Sequence, residues 1–136
     1  MDLCLNFPTD LKGAVIDTTV VSGHGSVATS NFESTDKLYL LAPGEIYEGW
    51  STYNNAQFDS AKDLTRQLDY YNSIGVTTGN YSNAIKKNGT IDKRWWLRST
   101  SSNYNFSFSS VTTNGSCFPN DNANSDLGVS PAFRIG

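Results

Sequence analysis

The chain is 136 residues long, with 13 acidic against 10 basic residues, a formal net charge of −3 and a pI near 4.9. That length fits one domain with a core of its own, and the acidic balance lacks the basic stripe that binding to nucleic-acid phosphates requires. The 11 glycines and 12% aromatic residues suit a loop-rich, β-containing domain better than a helical bundle, and no stretch approaches the length of a membrane span.

Met1 to Phe7 has neither a basic start nor a sustained apolar run, so no signal peptide is expected there. A secreted role would need another route, such as assembly into a virion, or a longer chain of which this is one piece. Cys4 and Cys117 do not form a disulfide framework and are expected to be free thiols. Leu11 to Val21 is rich in Val, Ile and Thr and predicts a strand leading into the core, broken by Ser22-Gly23-His24-Gly25-Ser26. His24, the only histidine, has no companion cluster for a metal site and no nucleophile motif to serve.

Asp36 to Leu41 predicts a short strand, and Pro43 opens a helix with Glu45 and Glu48 in its first turns. Trp50, Tyr53 and Phe58 follow in a loop. Ala61, Leu64, Leu68 and Tyr71 recur at helical spacing, with Ser60 and Asp63 as a weak capping box, predicting a helix over Ser60 to Asn72 that stops before Gly75. Tyr81 to Lys87 predicts a further helical turn ending at Asn88-Gly89. Lys86, Lys87, Lys93 and Arg94 form the only basic cluster and read as solvated surface.

The last third has an apolar frame and a polar filling. Trp95-Trp96-Leu97-Arg98-Ser99 opens it, Gly128-Val129-Ser130-Pro131-Ala132-Phe133-Arg134-Ile135-Gly136 closes it, and half of the residues from Ser101 to Asp126 are Ser or Asn. Such composition usually marks disorder, yet this tract is anchored at both ends and holds Phe106, Phe108, Val111 and Phe118, so it reads as ordered loops and a hairpin. Asn114-Gly115 predicts a two-residue type I′ turn between Val111 to Thr113 and Ser116 to Phe118. The tract has no Lys, Glu, Gln, Met or Trp. These are the residues that cannot arise when the first two bases of an Asn codon are randomised and the third stays a pyrimidine.

At Trp95 to Ser99, Phe108, Val111, Asn114-Gly115 and Gly128 to Phe133 the sequence resembles the C-terminal signature of bacterial and phage C-type-lectin-fold domains, fold relatives of formylglycine-generating enzymes. Many of these are variable proteins of diversity-generating retroelements, in which a reverse transcriptase rewrites Asn-rich positions of a ligand-binding surface. The resemblance extends to Lys37-Leu38-Tyr39-Leu40-Leu41 with Gly44-Glu45-Ile46, similar to the family's strand-then-helix element, and to Gln67 to Tyr71, similar to its second helix. It implies an α+β, C-type lectin-like fold: a small, twisted, mainly antiparallel sheet, about two helices and long C-terminal loops. It also implies that an N-terminal strand pairs with Ala132 to Ile135.

Trp95, Leu97, Val129 and Phe133 are then expected in the core, and Trp96→Ala or Phe133→Ala to cost about 3–5 kcal/mol. Arg98, beside Leu97, needs a carboxylate if buried, and Glu45 is the expected partner. The expected function is a non-enzymatic domain, 1–136, that binds a protein or cell-surface ligand through a variable segment at 99–128, on a virion or bacterial surface, without cofactor or metal. The ligand-facing set is Asn103, Tyr104, Asn105, Phe106, Ser110, Thr112, Cys117, Phe118, Asn120, Asp121, Asn122, Asn124 and Asp126, with Tyr104, Phe106 and Phe118 as anchors. These side chains should point away from Val111, Val129 and Phe133. The alternatives are an oxidative enzyme of the formylglycine-generating type, for which Cys4 and Cys117 are the available thiols, and a calcium-dependent lectin. Pro119-Asn120-Asp121 with Asp126 would be a thin calcium site.

Overall fold

The computed structural model describes residues 6–27 and 30–136. Among them the chain forms an α+β domain with three short helices, α1 (Thr9–Ala14), α2 (Pro43–Ile46) and α3 (Asp69–Ser73), and small antiparallel sheets. Its two ends meet. β1 (Val15–Ile16) pairs with the last strand, which places Val15 opposite Ile135 and Ile16 opposite Arg134. Tyr39 and Ala132 exchange backbone bonds of 3.1 and 2.7 Å beside them. Of the expected pairing of an N-terminal strand with Ala132 to Ile135, the part at Arg134 and Ile135 is found, while Ala132 pairs with Tyr39 instead; together they cover what would otherwise be a bare edge.

The early strand begins later than Leu11, because Pro8 leads into α1 and its carbonyl accepts from Lys12 N–H at 2.8 Å. β2 (Thr18–Gly23) then runs antiparallel to β3 (Asn31–Asp36), so the break falls at His24 rather than Ser22. β3 has no buried face for a sequence pattern to reveal. The strand expected over Asp36 to Leu41 reduces to the isolated bridge at Tyr39.

The helix expected over Ser60 to Asn72 is not formed. A turn ends near an exposed Leu64, and only α3 is helical. The reason is tertiary competition for backbone groups. Leu68 N–H donates to the Glu45 carbonyl at 2.9 Å, and the Gln67 side-chain amide donates to the carbonyls of Ile46 and Val76 at 2.8 and 2.6 Å. These bonds hold the chain extended where a helical ladder would have run. α3 does stop before Gly75, which takes φ +70.

Asn88-Gly89 closes a hairpin instead of a helix. After a 3₁₀ turn at Ser82–Ala84, β4 (Lys86–Asn88) pairs with β5 (Ile91–Lys93). Gly89, at φ +64, supplies the backbone conformation that this two-residue loop requires.

The main sheet has the order β6 (Trp95–Thr100), β7 (Ser107–Val111), β8 (Cys117–Asn122), with Trp95, Val111 and Cys117 in one register column. Trp95, Leu97 and Val111 are fully buried against Ile46, Trp50 and Val76, as the apolar opening of the frame predicts. Its closing part departs from expectation, with Val129 65% and Phe133 38% exposed. Gly128 and Ala132 bond to neighbouring backbone and leave Val129 at the surface. β9 (Arg134–Ile135) pairs only with the two-residue β1, and Phe133 beside it meets Phe7 at a ring separation of 5.4 Å. Trp96 is half-buried and meets Phe108 edge to face at 6.4 Å.

Arg98 and Glu45 do pair. Arg98 Nη1 and Nη2 donate to the two Glu45 carboxylate oxygens at 2.5 and 2.9 Å, while Nε donates to the Val21 carbonyl at 3.0 Å and Nη1 to that of Leu40 at 2.9 Å. Glu45 also accepts Ala42 N–H at 2.8 Å and so caps α2. One side chain on β6 thereby joins β2, the approach to α2, and α2 itself.

Candidate functional site

The Ser/Asn-rich tract is ordered, and burial separates its two main residue types. Ser101, Ser107, Ser109 and Ser110 are buried, whereas Asn103, Asn105, Asn122 and Asn124 are exposed. Serine is small enough to lie under neighbouring strands, and most of these hydroxyls or their backbones find partners. Ser101 N–H donates to the Ser107 carbonyl at 2.9 Å and Ser102 N–H to that of Phe58 at 3.1 Å. Ser101 Oγ donates to the Asn120 side chain at 2.7 Å. Asn103, Asn105 and Asn124 lie in loops and Asn122 at the exposed end of β8.

These bonds define a rim. The loop at Asn103 to Phe106 leaves the end of β6 and enters β7, where Ser107 pairs with Asn122, and Ala123 N–H donates to the Phe106 carbonyl at 2.8 Å. Asn103, Tyr104, Asn105 and Phe106 are therefore neighbours of Asn122 and Asn124, with Asn120 half-buried below. Tyr104 and Phe106 are 49% and 54% exposed, with ring centroids 5.8 Å apart. His24, Gly25 and Val27 share a small cleft with Tyr104 and Asn105. His24 itself donates from Nδ1 to the Ser30 carbonyl at 2.6 Å and tilts on Phe32, so it orders its own loop.

Three of the nominated residues are not surface groups. Ser110, Cys117 and Asp121 are all buried. A bulge in β7 between Phe108 and Ser110 turns both Ser109 and Ser110 inward, and strict alternation along β8 sends Cys117, Pro119 and Asp121 inside while Phe118 and Asn122 face out. Ser110 Oγ donates to Asp121, whose other oxygen pairs with Arg94 at 3.2 Å. Asp121 is thus engaged in the sheet and turned away from Asp126, which is exposed. Burial pushes the Cys117 thiol up, with Asp59 and Asp121 adding to the effect, opposite to the shift that makes a thiol reactive. Cys4 lies outside the described residues.

Two more nominated residues are dispersed. Thr112 sits at the opposite end of β7 from the rim, half-buried in the hairpin loop. Phe118, 40% exposed, lies beneath the Arg94 guanidinium at 5.1 Å. Arg94, in a cluster whose sequence predicts a solvated surface, is engaged by both Phe118 and Asp121, for which the sequence carries no signal.

The loop joining β7 and β8 is not a type I′ turn. No residue other than glycine has positive φ among the described residues, which excludes Asn114 from the left-handed region, and Gly115 takes φ +93. Gly115 N–H donates to the Thr112 carbonyl at 3.0 Å and Thr112 N–H to that of Ser116 at 2.8 Å, the pattern of a type I turn followed by a glycine bulge. Asn114 Oδ1 accepts Ser116 N–H at 3.1 Å. The loop is fastened inward by the buried Tyr47 hydroxyl, which donates to the Gly115 carbonyl at 2.6 Å.

No helix among the described residues is long and apolar enough to cross a membrane, and no group of three or more His, Cys, Asp or Glu among them is placed to hold a metal ion. Neither the curated proteins nor the solved structures hold a match to the chain. Over residues 1–136 it matches the model of DUF6273, a domain of unknown function, and it belongs to that family.

Proposed function

We propose that the chain is a non-enzymatic binding domain of C-type lectin-like fold, whose segment 99–128 presents a surface diversified by a retroelement toward a protein or cell-surface ligand. The observation that carries this reading is the sorting within the tract. Ser101, Ser107, Ser109 and Ser110 are buried with Trp95, Leu97 and Val111, while Asn103 to Phe106, Asn122 and Asn124 are exposed on one hydrogen-bonded rim. A surface that must accept many sequences has to draw its stability from residues outside it, because random core changes commonly cost about 1 kcal/mol or more. Tyr104 and Phe106 offer large, rigid contact area at that rim. The pairing of β1 with the C-terminal strand β9 supports the lectin-like arrangement. A virion or bacterial surface is the setting such a domain would serve.

The test has two arms. Tyr104, Asn105, Asn122 and Asn124 are replaced together by Ala, and thermal melting is compared with retention on intact bacterial cells. The reading expects melting within a few degrees of the parent and altered retention; loss of folding would make the tract structural and end the proposal. In the genome, a near-identical repeat of the codons for Ser99 to Gly136, with adenines where this copy differs, should lie beside a reverse transcriptase gene. Absence of both would remove the retroelement.

A further inference from the structure

One groove lies away from the aromatic rim. It has a volume of about 530 Å³ and runs between the β4–β5 hairpin and the segment Asp126 to Ser130, with Trp95 at its base. Lys86 is directly opposite Lys93 in the hairpin ladder, so both side chains leave the same face, and Asn88, two residues from Lys86, joins them. Lys87 also borders the groove, but its ammonium pairs with Asp92 at 3.2 Å. Lys86 and Lys93 have no carboxylate within ion-pairing distance among the described residues.

That arrangement is unusual for an acidic chain. Like charges directly opposite on a ladder are destabilising, and a protein with 13 acidic and 10 basic residues has carboxylates to spare for neutralising them. The groove instead has one acidic residue in its lining, the exposed Asp126. Lys86 is further constrained by its position 4.9 Å over the Trp95 ring, and burial pulls its ammonium below the ordinary lysine value. The opposing wall is fixed, because Gly128 N–H donates to the Arg94 carbonyl at 2.8 Å and its own carbonyl accepts Trp96 N–H at 2.9 Å.

We propose that this groove binds a small organic anion, with its carboxylate or phosphate group between the Lys86 and Lys93 ammonium groups and its body along the Leu127 to Ser130 wall. Two point charges on flexible stems suit a singly or multiply charged oxyanion without demanding the fixed fork geometry of arginine. The cavity is larger than a bare oxyanion needs, and exposed Val129 offers an apolar contact for the rest of the molecule. The groove shares Asp126 to Gly128 with the segment 99–128 but none of the exposed rim residues Asn103 to Phe106, Asn122 and Asn124, so either site can fail without the other.

The test is a titration of the isotopically labelled protein with citrate and, separately, with inorganic pyrophosphate, followed by amide NMR at low ionic strength, with glycerol as the neutral control. Saturable shifts are expected at residues 86–88, 93–95 and 126–130, and the stronger of the two anions identifies the head group. Lys86→Gln and Lys93→Gln should each weaken binding about tenfold, the loss of one charge-assisted contact. Lys12→Gln, on α1 and outside the groove, should leave it nearly unchanged, and Asp126→Asn should tighten it. The quadruple rim variant should bind as the parent does. Absence of saturation by either anion up to about 10 mM, or equal weakening by all three lysine variants, would overturn the proposal, the latter showing only diffuse charge attraction.

Discussion

Replacing Arg98 by Met tests the link between β6 and α2 most directly. The guanidinium makes four hydrogen bonds, two of them to Glu45 and one each to the Val21 and Leu40 carbonyls. The side chains of Arg98 and Glu45 are only 10% and 15% exposed, so solvent screens the pair little. Arg98→Met leaves the Glu45 carboxylate with the Ala42 N–H as its remaining partner, and an uncompensated buried charge of this kind costs about 3–5 kcal/mol. Glu45→Gln should cost less, about 2–3 kcal/mol, because Arg98 keeps its two carbonyl acceptors. The double variant buries no unpaired charge and should be more stable than the sum of the single losses implies, by about 1.5–3 kcal/mol. Urea unfolding followed by the fluorescence of buried Trp50 and Trp95 measures all three. A cost below about 1 kcal/mol for Arg98→Met, or simple additivity in the double variant, would refute the account.

Other expectations follow from single sites. Gly115→Ala should lower stability by more than about 2 kcal/mol, since Gly115 takes φ +93 and an added Cβ would lie 2.1 Å from the Tyr81 carbonyl oxygen; a melt like that of the parent would show that the loop relocates freely. Tyr47→Phe should cost about 1–3 kcal/mol in urea unfolding, from a buried Gly115 carbonyl left without its donor. Phe133→Ala should cost well under the about 3–5 kcal/mol of a core aromatic, because the ring is 38% exposed, whereas Trp95→Ala should reach that range. Asp59 is buried, and desolvation raises its carboxyl above the ordinary 3.8 despite hydrogen bonds from Trp50 and Ala61. A raised folded-state value means the folded protein holds this proton more tightly. Its contribution is therefore complete below the ordinary value and is lost as pH rises through the raised one. Against Asp59→Asn, the parent should lose relative stability on going up from pH about 4, and a flat difference would contradict the burial argument.

The sequence alone settled what depends on local chemistry or on a strong pattern. Trp95 and Leu97 read as core and are buried, though Trp96, also expected as a core anchor, is half-buried on the other face of β6; Pro43 with Glu45 marks the start of α2, and a buried Arg98 has few carboxylates near a helix start to choose from. The pairing of the chain's two ends also came from the sequence, through its resemblance to lectin-like domains, because a terminal apolar strand must find a neighbour. Tertiary structure decided the rest. The helical spacing of Ala61, Leu64, Leu68 and Tyr71 was overruled by the side chain of Gln67 and the backbone of Leu68, which bond to Ile46, Val76 and Glu45. In the Ser/Asn tract, composition pointed to a surface, but a one-residue bulge in β7 and the register of β8 determined that Ser110, Cys117 and Asp121 face inward while Tyr104, Phe106 and Asn122 face out. A one-residue shift reverses every side chain along a strand, and that shift is fixed by pairing partners distant in sequence, which no local window contains.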